Sequence, residues 1–160
     1  LAIFKLDDKT AAIEATADEA LINANKELLV DDQLIIVQAK LQPDRFSGGY
    51  RLAINKIWDL ASSRCRFGKY LSIKVNEQSL PSITQSMRVV LKDFPPKREL
   101  TDQGEFFKGV GIRFELEKRS DDVAATAQVQ LGEAARFFPS DAALASWYAA
   151  VDSQNLRLVY

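Results

Sequence analysis

The residues of this chain best suited to chemistry lie around a pair of glycines in segment 43–52, which reads Pro-Asp-Arg-Phe-Ser-Gly-Gly-Tyr-Arg-Leu. Two adjacent glycines can adopt backbone angles closed to other residues. They therefore predict a sharp turn between two strands, with positive φ at Gly48 or Gly49. Two cations and two aromatics flank the turn, Arg45, Phe46, Tyr50 and Arg51. A nucleic-acid single strand needs positive charge for its phosphates and flat rings for its bases. An ordinary hairpin whose rings pack on its own barrel fits the same residues.

Composition limits the classes of function. The 160 residues carry 21 Lys and Arg against 22 Asp and Glu, so nucleic-acid binding must come from a local patch and be weak and salt-sensitive. The absence of histidine excludes Ser-His-Asp and Cys-His catalysis and the usual His-containing zinc sites. The single Cys65 cannot form an internal disulfide, which suits a reducing cytoplasm. The acidic pairs, such as Asp7-Asp8, lie between extended runs and are interpreted as turns, so no catalytic or metal site is predicted.

The first 60 residues predict a small barrel. Strands are indicated over 1–6, 11–17, 34–41 and 50–57, with a helix over 18–29 that begins at Asp18. An oligonucleotide-binding (OB) barrel has five strands, with its helix between the third and fourth. The order agrees if a first strand lies upstream of Leu1. Because the chain starts within a predicted strand, we expect an incomplete OB barrel cut from a longer protein.

The remaining residues predict a second domain. A helix over 60–67, capped by Asp59, is expected within a connector over 61–68, with Arg64 and Arg66 on a solvated face. Residues 69–160 then predict strands over 70–75, 110–118, 123–131 and 156–160, with 135–138 continuing the third. Helices are predicted from Ser79 to Phe94 and over 141–151, with Ser140 as cap, and residues 97–109 form a long loop. This β-α-β-β-α-β order predicts a ferredoxin-like domain, and the whole chain is α+β.

Four short segments carry a family resemblance. They are 6–10 (Leu-Asp-Asp-Lys-Thr), 29–34 (Leu-Val-Asp-Asp-Gln-Leu), 46–49 (Phe-Ser-Gly-Gly) and 58–60 (Trp-Asp-Leu). In this order they resemble the OB domain near the C-terminus of the alpha subunit of bacterial DNA polymerase III, a family C polymerase. Segment 137–141 (Phe-Phe-Pro-Ser-Asp), an amphipathic helix and a terminal strand resemble the end of that subunit.

The resemblance implies a function in chromosomal DNA replication. The parent would be a cytoplasmic DNA-directed DNA polymerase, a nucleotidyltransferase whose Mg²⁺-dependent catalytic residues lie outside this chain. The chain itself would be neither an enzyme nor a cofactor-binding protein. Its OB domain would bind single-stranded template DNA, and its last domain would dock the tau subunit of the clamp loader. The alternative is a stand-alone OB-fold protein that binds single-stranded DNA or RNA.

The predicted nucleic-acid surface combines the glycine turn with three lysines. Alternation puts Lys5 and Lys40 on the solvent side of their strands, and Lys9 lies in the first hairpin turn. The predicted set is Lys5, Lys9, Lys40, Arg45, Phe46, Tyr50 and Arg51.

The predicted partner surface lies at the C-terminal end. Leu144 and Tyr148 share a helical face directed at the core. Trp147 at its margin is a hot-spot candidate for tau binding, although a core or rim role fits it equally well. The full set is Leu144, Trp147, Tyr148, Leu156, Leu158 and Tyr160. Residues 154–160 also loosely resemble a sliding-clamp-binding peptide, although they fit a buried strand equally well.

Overall fold

The computed structural model describes residues 1–160, which divide into two compact units, Leu1–Leu60 and Ala61–Tyr160. Strands predominate in both units and a few helices accompany them, so the predicted α+β class is confirmed. None of the four α-helices has the length and apolar character required to cross a membrane.

The first unit is one four-stranded sheet with a short helix. Its sheet order is β1-β2-β4-β3, with antiparallel pairs at both edges and a parallel pair, β2 with β4, at the centre. The core contains buried Ala15, Ala17, Ile54 and Ile57, with Phe4 packed against them. The elements are β1 (Ala2–Asp7), β2 (Ala12–Ala17), α1 (Glu19–Ala24), β3 (Ile36–Pro43) and β4 (Tyr50–Trp58).

Helix α1 begins where it was predicted but ends early. The Asp18 carboxylate accepts a hydrogen bond from the Leu21 N–H at 2.7 Å, as an N-cap does. Asn25 ends the helix, because its side-chain amide donates to the Leu21 carbonyl and its backbone N–H donates to the Ile22 carbonyl. Local side-chain bonds of this kind compete with helix continuation, so residues 25–28 form turns instead.

The second unit has helices α3 and α4 packed on one face of a sheet. Buried side chains alternate along the strands, with Leu71, Ile73 and Val75 facing the helices, while Tyr70 and Lys74 point to the other face. The elements are α2 (Leu60–Phe67), β5 (Tyr70–Val75), α3 (Leu80–Asp93), β6 (Lys97–Thr101), β7 (Gly104–Lys108), β8 (Val110–Ser120), β9 (Val123–Gln130), β10 (Arg136–Phe137), α4 (Asp141–Ala150) and β11 (Leu156–Val159).

The ferredoxin-like prediction is wrong in its sheet order. A split βαβ unit places another strand between the two strands that its first helix connects. Here α3 connects β5 to β8, and these strands pair directly in parallel, from Tyr70 beside Gly111 to Val75 beside Leu116. Strand β9 lies on the far side of β8. It carries only small or uncharged side chains and is exposed throughout, so it lacks the bulky apolar residues that a central strand under two helices requires.

Residues 97–109 form a hairpin rather than the predicted long loop. Strands β6 and β7 pair only with each other, and Gly104 at φ 127° starts the return strand after Asp102 and Gln103. The cross-strand register puts Arg98 and Glu105 on one face, where they form an ion pair. Residues 136–137 are likewise a separate short strand paired with β8, not a continuation of β9.

Arg64 is not on a solvated face. Its guanidinium Nη1 lies 2.6 Å from Asp141 Oδ1 and donates to the Pro139 carbonyl at 3.1 Å. It therefore ties α2 to the start of α4, where the Ser140 hydroxyl caps the helix by accepting from the Ala143 N–H. Helix α2, which was predicted as a connector, thus packs within the second unit.

Candidate nucleic-acid interface

The parallel pairing of β2 with β4 brings two hairpin turns to the same end of the first sheet. Strand β2 begins directly after the turn 8–11, and β4 begins directly after the turn 44–49. Because the two strands run in the same direction, with Ala15 beside Leu52, both turns lie at the end where these strands start. Lys9, Arg45, Phe46, Tyr50 and Arg51 are therefore gathered at one end, and we call them the turn-end surface.

The glycine turn is held by one carboxylate. Asp44 accepts hydrogen bonds from the backbone N–H groups of Phe46 and Ser47, each at 3.2 Å, and from the Ser47 hydroxyl. The Ser47 hydroxyl contributes most to lowering the pKa of the Asp44 carboxyl, followed by the Phe46 N–H. Gly48 has φ 74°, so the predicted positive φ is confirmed.

The first turn is built in the same way. One oxygen of Asp8 accepts from the Thr10 N–H at 2.9 Å, the Thr10 hydroxyl at 2.6 Å and the Ala11 N–H at 2.9 Å. Led by the Thr10 hydroxyl, these donors lower the pKa of Asp8 to about 2. Lys9 lies at the tip of this turn with φ 68°. Its side chain therefore projects from a turn whose backbone is fixed by the hydrogen bonds of Asp8.

Both aromatics of the turn-end surface are exposed. The Phe46 side chain is 97% exposed and Tyr50 is 64% exposed. The alternative in which Phe46 packs on its own barrel is therefore wrong, because nothing covers its ring. Tyr50 shares the inward side of β4 with Leu52 but lies past the end of the core.

The predicted cations are also available. None of Lys5, Lys9, Lys40, Arg45 and Arg51 forms an ion pair. Asp8 and Asp44 lie nearby and accept hydrogen bonds from donors of their own turns, and the charge of Arg51 is the smallest of the causes that lower the pKa of Asp44. Arg51 is half-buried, and its Nε is buried without a hydrogen-bond partner.

Strand register places Lys5, Lys40 and Arg51 on the outward face of the same sheet. Lys5 lies opposite Glu14, and Arg51 lies opposite Gln42. Glu14 and Arg51 each precede a residue of the registered pair Ala15 and Leu52, so they are also neighbours. One row across the sheet therefore contains Lys5, Glu14, Arg51 and Gln42. Lys40 lies in the next row, opposite Ala53.

Sequence reasoning missed two outward residues beside these cations. Gln42 lies opposite Arg51, and the exposed Ile3 lies in the row of Lys40, across Thr16 and Ala53. Alternation along β3 could have found Gln42, because it shares the parity of Lys40. Alternation along β1 could likewise have placed Ile3 on the side of Lys5, although only the cross-strand register shows which row it joins.

The predicted partner residues separate into buried and exposed groups. Trp147 does not lie at a margin: it is fully buried, with its ring 6.1 Å from that of Phe137 in an edge-to-face contact. Ala143 and Trp147 form the buried stripe of α4, which Val151 continues at the C-cap, so Tyr148 points away and is 52% exposed. Tyr160 is 62% exposed, Leu156 is buried, and Leu144 and Leu158 are partly buried against the core.

The segment that loosely resembles a clamp-binding peptide is part of the second sheet. Leu156 pairs with Ile73 and Leu158 pairs with Leu71. Binding of this segment as an extended peptide would require β11 to leave the sheet. No group of three or more Cys, Asp or Glu side chains lies close enough together to hold a metal ion.

The chain is similar in sequence to alpha subunits of DNA polymerase III from several bacteria. The chain is 22% identical to DNA polymerase III subunit alpha of Escherichia coli K12 over 160 residues, which is all of the chain and 13% of that protein. It is 26% identical over 95 residues to the subunit of Pasteurella multocida, covering 59% of the chain and 8% of the relative. It is 32% identical over 75 residues to the subunit of Pseudomonas aeruginosa, which covers 47% of the chain and 6% of the relative.

These matches confirm the resemblance seen in the sequence motifs, namely that the chain is similar to a C-terminal part of the alpha subunit. The chain spans between 6% and 13% of the length of these relatives. No family model and no solved structure matches the chain.

The glycine turn generates a stability prediction. Gly48→Ala should lower the free energy of unfolding of the first unit by about 1–2 kcal/mol, because a Cβ disfavours positive φ. A Cβ at Gly48 would meet nothing within 4 Å, so the loss would come from the backbone alone. Gly49→Ala is the matched control, since its Cβ would meet only Ser47 Oγ at an ordinary 3.5 Å. Equal losses in urea unfolding would contradict this account of the turn.

Asp8 generates a pH prediction. Its folded pKa of about 2 lies below the ordinary value of 3.8. Its stabilising contribution should therefore be complete above about pH 4 and be lost as the pH falls towards 2. We expect the difference in unfolding free energy between the wild type and Asp8→Asn to shrink between pH 5 and pH 2. Asp31→Asn, at an exposed carboxylate without hydrogen bonds, is the control. Its unfolding free energy should differ from that of the wild type by the same amount at every pH. A difference independent of pH would disprove the role of Asp8.

Proposed function

Because the chain is similar to a C-terminal part of the alpha subunit of DNA polymerase III, we propose that it is a non-catalytic region of such a subunit. In this proposal the first unit binds single-stranded template DNA and the second unit docks the tau subunit of the clamp loader. The observation that carries the DNA-binding part is the turn-end surface, where exposed rings and unpaired cations meet.

We further propose that the first unit is an OB barrel. Its support is the order of strand pairing, antiparallel β1–β2, parallel β2–β4 and antiparallel β4–β3, with α1 between β2 and β3. This is the order of an OB barrel when β1 is counted as the second strand. The glycine turn is then the loop between strands four and five, one of the two loops through which OB barrels bind oligonucleotides.

Single-stranded DNA suits the turn-end surface for two reasons. The ring of Phe46 is open on the tip of its turn, and stacking of a base on such a ring contributes about 1–3 kcal/mol. Lys9, Arg45 and Arg51 lie around it without carboxylate partners, so their charges are available for phosphates. Lys5 and Lys40 extend the positive charge along the outward face of the sheet.

Fluorescence anisotropy with an oligo(dT) at low salt tests this proposal. Arg45→Ala/Phe46→Ala should weaken binding about tenfold or more, because it removes one stacking ring and one phosphate contact. The slope of log affinity against log salt concentration, which is the salt dependence, should become shallower by about one unit. Lys26→Ala/Val30→Ala is the matched control, since both of its residues are exposed elsewhere in the first unit. Equal affinity of the two double variants would refute the site.

For docking of the tau subunit, only the exposed residues of the predicted set can contact the partner. Tyr148 on α4 and Tyr160 after β11 are large exposed aromatics, which are frequent anchors of protein interfaces. Trp147 and Leu156 are core residues and cannot contact a partner while the unit stays folded.

Calorimetry with the purified tau subunit tests this part. Tyr148→Ala/Tyr160→Ala should weaken binding at least tenfold, while Phe106→Ala/Phe107→Ala, a matched pair of exposed aromatics on the β6–β7 hairpin, should not. The reverse pattern would move the docking surface to that hairpin. Absence of tau binding by the wild type, together with DNA binding, would favour the alternative of a stand-alone protein that binds single-stranded DNA or RNA.

A further inference from the structure

The open face of the second sheet concentrates arginines around one tyrosine. Cross-strand register builds two adjacent rows on the face opposite the helices. The first row joins Val159, Tyr70, Gly111 and Arg136, and the second joins Arg157, Ser72, Arg113 and Gln130. These two rows contain three arginines and no carboxylate.

Arg113 is held in a fixed position at the centre of this face. Its guanidinium carbon lies 3.7 Å from the centroid of the Tyr70 ring, and its Nε donates to the Gln130 side chain at 3.1 Å. Gln130 is itself anchored, since its amide donates to the Ile112 carbonyl at 3.1 Å. Gly111 permits this arrangement, because a Cβ there would lie 3.3 Å from the Gln130 amide nitrogen.

Two of the three arginines on this face have no ion-pair partner within the chain. Arg113 and Arg157 form no ion pair, whereas Arg136 is neutralised by Glu133 at 2.6 Å. Glu115, in the next row, accepts a hydrogen bond from the Ser72 hydroxyl at 2.7 Å and lies beside Lys74. Arg157 is exposed on the edge strand β11, two strands from Arg113 and hence about 10 Å away.

From this geometry we propose that the open sheet face of the second unit is a second binding site for single-stranded DNA. A base stacks on the guanidinium of Arg113, which lies over the Tyr70 ring, and Arg157 contacts a phosphate. Arginine planes and aromatic rings on a sheet surface serve as stacking platforms for unpaired bases, and the two arginines supply the charge that a phosphate backbone requires. The proposal does not depend on the turn-end surface, which lies in the other unit.

Anisotropy with oligo(dT) tests the site on the full chain. Arg113→Ala/Arg157→Ala should weaken binding about five- to tenfold and reduce the salt dependence by one to two units. Arg66→Ala/Arg88→Ala removes two exposed arginines from α2 and α3 of the same unit and is the matched control. The loss should persist in the Arg45→Ala/Phe46→Ala background, which separates this site from the proposed site in the first unit. Equal affinity of the two double-arginine variants would overturn the proposal.

Two further measurements keep stacking, charge and folding apart. Arg113→Lys keeps the charge but not the plane, so it should weaken binding while leaving the salt dependence nearly unchanged. Arg157→Ala alone, at an exposed residue with no partner, should leave thermal unfolding unchanged and still lower affinity. Equal binding of a duplex of the same length, or full affinity of Arg157→Ala, would overturn the assignment to a single strand on this face.

Discussion

Each unit of this chain is organised by one pair of neighbouring parallel strands, β2 with β4 in the first unit and β5 with β8 in the second. Parallel neighbours cannot be joined by a tight turn, so each pair requires an intervening crossover. In the first unit the crossover contains α1 and β3, and in the second it contains α3 and the β6–β7 hairpin. The position of nearly every functional candidate depends on these two pairings.

In the first unit, parallel pairing has a direct consequence for recognition. It brings together two turns that are more than 30 residues apart in sequence, so that Lys9 and Arg45 project from the same end of the sheet. The carboxylates beside them are used as structural acceptors, Asp8 by Thr10 and Asp44 by Ser47. Both acidic residues stay ionised and are part of the turns that present the cations, but neither forms an ion pair with them.

In the second unit, parallel pairing separates an apolar face from a charged one. The face towards α3 and α4 is filled by large side chains, including Trp147 against Phe137. The opposite face has no helix of this pair over it and carries Tyr70, Arg113 and Arg157 in adjoining rows. A two-layer arrangement of this kind leaves one side of the sheet available for a ligand, and its chemistry is set by every second residue of the strands.

Much of the local structure could be predicted from the sequence, because it depends on neighbouring residues. The Asp18 and Ser140 caps, the bounds of α2 and β5, the positive φ of Gly48 and the solvent side of Lys5 all follow from side chains a few positions apart. The motifs also led to the polymerase subunit to which the chain is similar. What only the tertiary structure decided involves residues distant in sequence. The burial of Trp147, the ion pair of Arg64, the order of the second sheet and the rows that join Arg157 to Arg113 depend on which strands become neighbours. Alternation tells which residues share a face of one strand, but cross-strand register and helix packing decide what lies beside them, because those are set by the packing of the whole core.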